Sequence, residues 1–185
     1  HGGTDTQTVL RDVAETVFVA ATGGTDHSGD AIETVLQYAI DAVPASMTTH
    51  ASGLKHSWIV EFQDDSTYSD TPPAQTTVLG FIESKQTDAE HRLTLRAQAG
   101  RHPVIAAPIL DIQSGITIRN DYVTIQGFDI VDINNTALSV AYSTGTNIIG
   151  NRILVSDIAN TQFNMEYGAI VLTSATDTLI ANNIV

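Results

Sequence analysis

The sequence predicts an all-β solenoid of stacked parallel coils, on three observations. The first is a repeat. Gln126-Gly127-Phe128-Asp129-Ile130, Ile149-Gly150-Asn151-Arg152-Ile153 and Ile180-Ala181-Asn182-Asn183-Ile184 align, giving the columns Ile125/Ile148/Leu179, Gly127/Gly150/Ala181 and Ile130/Ile153/Ile184. The second is periodicity. Apolar residues alternate within the units (Ile116 and Ile118, Val123 and Ile125, Phe128 and Ile130), which is the period of a strand and not of a helix. The third is asparagine. All nine Asn residues lie at or after position 120, where the clear repeat sits, and Asn suits the left-handed turns between coils.

Taken in order, residues 1–15 are a polar lead-in and Thr16–Ala20 is the first strand candidate. The turn-rich stretch 21–29 follows. Asp30, with Glu33 three residues on, has the form of a capping box. Ile32, Val35, Leu36, Ala39, Ile40 and Val43 then give one apolar helical stripe that Pro44 ends. Such a helix would cover the open first coil. Trp58–Phe62 is a strand and Asp64–Asp70 a turn. Segments 77–82 and 93–96 begin the coils, which sets a boundary between an entry segment, 1–75, and the coils, 76–185. Leu93/Leu95 to Ile116/Ile118 repeats the interval of 23 positions that separates Ile130 from Ile153. Ile153 to Ile184 is 31 positions, so one coil carries an insertion, Ser156–Tyr167. Asn151 is expected to stack on Asn182, and Asp129 to pair with Arg152 on the outer face. At Ile184-Val185 the pattern is in mid-coil, which leads us to expect a continuing chain or a stacked second subunit there.

The units Ala137–Val140, Asn147–Ile153 and Gly168–Ile184 resemble the right-handed parallel β-helix of the pectate-lyase-like superfamily. The strand, Gly-Asp turn, helix and strand upstream are similar to the entry segment of secreted members, with Asp-Ser-Thr-Tyr where those have Pro-Gly-Thr-Tyr. The resemblance implies a right-handed parallel β-helix solenoid with an N-terminal amphipathic capping helix. For function it implies one of two classes: a scaffold, adhesin or assembly unit that contacts glycans, or the N-terminal part of a calcium-dependent polysaccharide lyase.

Composition narrows the class. An apolar fraction of 42% with 6% aromatic fits a core of aliphatic ladders, and the absence of Cys excludes disulfides and thiolate metal sites. The net charge of −13 argues against nucleic acid and anionic membranes as partners, and no apolar run is long enough to span a bilayer as a helix. The acidic balance suits a secreted or cell-surface setting.

Lyase chemistry on this fold would need calcium held by clustered carboxylates and a cationic base. Asp111, Asp121, Asp129 and Asp132 supply carboxylates, whereas only Arg119 and Arg152 are basic in the clear repeat. Candidate cation ligands are Asp129 and Asp132 among these and, separately, Asp26 and Asp30 in the loop Asp26-His27-Ser28-Gly29-Asp30 before the helix. Asp64-Asp65, the Asp-Asp pair that hydrolases of this fold would need, reads as a solvated turn. The inserted loop offers Phe163, Met165 and Tyr167 either for contact with a ligand or polysaccharide, or for folding back on the solenoid flank.

Overall fold

Strands of two to six residues cannot bury an apolar face alone, so each must lie on a counterpart from the next turn of the chain. A computed structural model of the chain describes residues 14–21, 23, 33, 35–45, 57–69, 78–106, 114–133, 136–155 and 168–185. The elements in chain order are β1 (Glu15–Val19), α1 (Leu36–Ala42), β2 (Trp58–Phe62), β3 (Thr67–Tyr68), β4 (Val78–Glu83), β5 (Leu93–Ala97), β6 (Val104–Ala106) and β7 (Ser114–Arg119). They continue as β8 (Val123–Gln126), β9 (Asp129–Ile133), β10 (Thr136–Ala141), β11 (Asn147–Ile149), β12 (Arg152–Val155), β13 (Gly168–Thr173) and β14 (Leu179–Ala181). They form three sheets, in the orders β1-β2-β5-β8-β11-β14, β3-β6-β9-β12 and β4-β7-β10-β13, and every pairing is parallel. From β2 onward the chain visits the three sheets in fixed rotation. One circuit is one coil, and among the described residues the architecture is all-β with one short helix, in keeping with a parallel β-solenoid.

The core lies inside the coils, in columns that the register defines. Val60, Leu95, Ile125 and Ile148 stack in the first sheet, and all four are fully buried. Tyr68, Ile105, Ile130 and Ile153 do so in the second, and Ile82, Ile118 and Val140 in the third. Each such aliphatic side chain contributes about 1.5–3 kcal/mol. Phe62 fills the lower core, with edge-to-face contacts at 4.9 Å to both Tyr68 and Phe128.

The register corrects three expectations. Leu93 and Leu95 pair with Val123 and Ile125, whereas Ile116 and Ile118 lie in another sheet beside Leu138 and Val140. The equal interval was a coincidence between strands on different faces. In the last unit Ile148 pairs with Ile180 and Asn147 with Leu179, while Arg152 bridges to Ile184, so the alignment slips by one residue. The turn fixes this slip: Gly127, Gly150 and Asn182 all take left-handed φ (+81°, +64° and +57°), and they form the turn column. The Asn ladder therefore joins Asn151 to Asn183 and not to Asn182, with the Asn183 Oδ1 accepting from both the Asn151 backbone N–H and Nδ2 (2.9 and 3.1 Å). Asn151 in turn accepts from the Phe128 N–H and donates to the Ile125 carbonyl, and Asn183 donates to that of Ile148.

The helix is also shorter than its stripe. Glu33 is extended and bridges to Val19, and α1 begins at Leu36 after Val35, which makes no side-chain cap hydrogen bond. Glu33 thus cannot close a capping box; Asp30 lies outside the described residues. The stripe itself holds: Leu36, Ala39, Ile40 and Val43 are buried. Leu36 approaches β4 closely at Gly80, where an added Cβ would lie 2.8 Å from the Leu36 Cδ2.

A second close approach is testable. Gly145 has φ +69°, and a Cβ there would lie 2.6 Å from the Tyr122 ring, whereas Gly100 has φ +79° with nothing within 4 Å. Gly100→Ala should lose only the backbone term, about 1 kcal/mol. Gly145→Ala should lose more, with the difference between the two urea midpoints reporting the Tyr122 contact. Equal losses would show that the ring moves aside freely.

Candidate functional site

Charged side chains in the described coils go mostly to joining one coil to the next. Asp64 and Asp65 follow β2, and their carboxylates reach in opposite directions along the stack. Asp64 accepts from the Ala21 N–H (2.9 Å), the Ser66 N–H (3.0 Å) and the Tyr68 hydroxyl (2.8 Å). Asp65 accepts from the His102 N–H (2.6 Å) and from Arg101 Nη1 (3.3 Å), one coil on. Burial pushes the Asp64 carboxyl up, but the hydrogen bonds from Tyr68, Ala21 and Ser66 outweigh it and hold the group below its ordinary 3.8. The His102 amide, with Arg101 beside it, likewise lowers Asp65. Burial and the neighbouring Asp64 raise the Tyr68 hydroxyl well above its usual range. The pair lies in a turn with Asp65 solvated, as expected, but the turn is also a hydrogen-bonded clamp between coils.

The outer faces repeat this use. Asp129 meets Arg152 at 3.2 Å in the predicted register, and Glu61 meets Arg96 at 2.6 Å across β2 and β5. Both pairs are partly exposed, so each contributes about 0.2–1 kcal/mol. Arg119 lies over the Phe81 ring at 5.4 Å.

One corner, where the third sheet hands over to the first, gathers the most varied chemistry. His91 Nδ1 lies 2.7 Å from Asp88 Oδ1, which also accepts the Glu90 and His91 amides. The Arg92 guanidinium sits over the Tyr122 ring at 5.6 Å and donates to the Gly145 carbonyl, while its Nε is buried without a hydrogen-bond partner among the described residues. Asp121 Oδ1 accepts from the Thr144 N–H at 2.7 Å, and the Thr144 and Thr176 hydroxyls touch at 3.0 Å. Tyr142 projects here, 72% exposed at φ +52°. Sequence patterning missed this corner because its members come from four separate turns. Asp121, already picked out as a carboxylate, and the Asx-type spacing of Asp88 and His91 were its only local signals.

Of the predicted site residues, Asp129 takes the Arg152 guanidinium. Asp26, Asp30, Phe163, Met165 and Tyr167 lie outside the described residues, as do Asp111 and the side chain of Asp132. Of the four expected cation ligands, Asp129 alone has a described side chain, and the Arg152 guanidinium occupies it. Among the described residues no group of three or more His, Asp or Glu side chains is gathered as a metal site would require.

No protein-family model, curated protein or solved structure matches this chain.

The end of the stack formed by β13, β14 and Ile184 differs from the corner in kind. Leu172 (45% exposed) and Ile180 (45%) continue columns that are fully buried one coil below, at Val140 and Ile148. Leu179, Ile184 and Val185 are exposed beside them. Residues 168–185 carry a single charge, Asp177, on a chain of net −13. The Thr178 Oγ1 is buried without a partner among the described residues, because Ala175 stands where Ser143 meets Thr146 in the coil below.

The Asp64 clamp gives a pH test. Its pKa is depressed in the folded state, so its contribution is fully present above the unfolded value of 3.8 and is lost as the pH falls through the folded one. Asp64→Asn should lower stability near pH 7 by about 1–2 kcal/mol. The variant should also show a weaker decline than the parent on acidification below that value. An unchanged acid limb would mean that Asp64 is not the titrating clamp.

Proposed function

We propose that this chain is a secreted, non-catalytic β-helix module that serves as a scaffold or assembly unit and contacts glycans along its strand faces. In this reading the solenoid is right-handed and pectate-lyase-like, and α1 caps its first coil. The observation that carries the proposal is the use of charge. Asp64, Asp65, Asp129 with Arg152, and Glu61 with Arg96 are all engaged between coils, where a lyase would need carboxylates and a free cationic base converging on one cleft. The almost uncharged face of β13 and β14, with Leu172 and Ile180 half-exposed above buried columns, supports the assembly part as a surface suited to cover by a further coil.

Incubation with polygalacturonate, alginate and pectin, with and without calcium, tests the reading. We expect no unsaturated product in any combination. Calcium-dependent appearance of unsaturated uronate would replace the scaffold with the N-terminal part of a polysaccharide lyase. For the assembly part, molar mass should rise with protein concentration, and Leu172→Lys with Ile180→Lys should abolish the rise. A parent protein that stays monomeric throughout would remove that part.

A further inference from the structure

At the opposite end of the stack, one side chain occupies the place of a strand. Among the described residues β4 is the edge of its sheet, paired with β7 on one side only. In a parallel strand the N–H and C=O of one residue point to the same side, so an edge residue presents both groups to whatever lies alongside. Phe81 presents them to Gln37, which is 3% exposed on α1. The Phe81 N–H donates to Gln37 Oε1 at 2.6 Å, and Gln37 Nε2 donates to the Phe81 carbonyl at 3.3 Å. The primary amide thus reproduces the donor and acceptor of a peptide group. Asp41, one turn further along α1, accepts from the same Nε2 at 2.8 Å, which fixes the amide orientation.

Neighbouring contacts hold the helix at this edge. Gly80 admits Leu36 against the strand. Beyond β4, Lys85 Nζ donates to the Val43 carbonyl at 2.5 Å, and the Gln86 amide donates to the Ala45 carbonyl at 2.8 Å. The hydrogen-bonding edge of β4 at Phe81 is therefore closed by a side chain whose loss would leave two backbone groups unmatched.

We propose that Gln37, oriented by Asp41, is a surrogate strand that seals the β4 edge against pairing with a strand of a second copy of this chain. The inference rests on the reading of α1 as a cap. It goes beyond that reading, because burial of the apolar stripe alone would not need an amide at this position. A helix that only covered the core would tolerate Met at 37, which keeps the length of the side chain and removes both hydrogen bonds.

The test is Gln37→Met in the Leu172→Lys, Ile180→Lys background, so that association at the β14 end cannot be mistaken for association at β4. Amide hydrogen exchange at Phe81 should quicken about tenfold relative to the amides of Val60 and Ile125. Molar mass should then rise with concentration where the background protein stays monomeric. Should the Met variant fail to fold, Asp41→Ala, which keeps Gln37 but frees its orientation, should give the same two changes at smaller amplitude. Unchanged Phe81 exchange would overturn the surrogate strand. Faster exchange with no rise in mass would overturn the sealing role.

Discussion

Parallel stacking of short strands, each on its counterpart from the previous circuit, is the constraint on which the other features of this molecule depend. Among the described residues no strand exceeds six residues, so none could bury its inward side chains by itself. Continuous columns such as Val60/Leu95/Ile125/Ile148 solve this by making each coil the floor of the next. Everything that disturbs the height of one coil is passed to its neighbours. Turns at this fold are therefore held to a narrow set of backbone shapes, which is why Gly127, Gly150 and Asn182 share a left-handed conformation.

Hydrogen-bonding side chains serve the same constraint. Backbone pairing leaves amides unmatched where the chain turns, and the structure meets them with short polar groups from the adjacent coil. Asn151 and Asn183 do this at the corner between the first and second sheets, Asp64 and Asp65 do it further along the stack at the same corner, and Asp121 does it between the third sheet and the first. An acidic chain thus turns part of its charge surplus into inter-coil fastening. At the two ends the fastening differs. Gln37 takes up the Phe81 backbone at one, whereas at the other Leu172 and Ile180 stand exposed above buried columns.

The architecture was legible in the sequence because period-2 alternation and an Asn-rich repeat are local signals. Trp58–Phe62 appears as predicted, and the Asp129–Arg152 pair falls in the predicted register. Register was less legible wherever neighbouring residues were chemically alike. Leu179 and Ile180 are both aliphatic, so composition could not decide which one faces Ile148; the left-handed turn at Asn182 decides it. The interval from Leu93 to Ile116 misled for a related reason, since one coil contains three strands and equal spacings can join different faces. Glu33 was read by its helix-capping pattern, yet pairing with Val19 prevailed over local propensity. The corner around Arg92, Tyr122 and Gly145 left almost no sequence signal, because its residues meet only once the coils are stacked.

The stack can be measured directly. Ile59, Thr94, Thr124, Asn147 and Leu179 form one column of the first sheet, so Ile59 and Leu179 are four strand spacings apart despite their distance in sequence. The chain has no Cys, so spin labels can be placed at these two positions alone. Dipolar spectroscopy on Ile59→Cys with Leu179→Cys should give a single distribution centred at about 19 Å, broadened by the label linkers. A distribution centred beyond about 30 Å, or one with no preferred distance, would contradict the stacked-coil account.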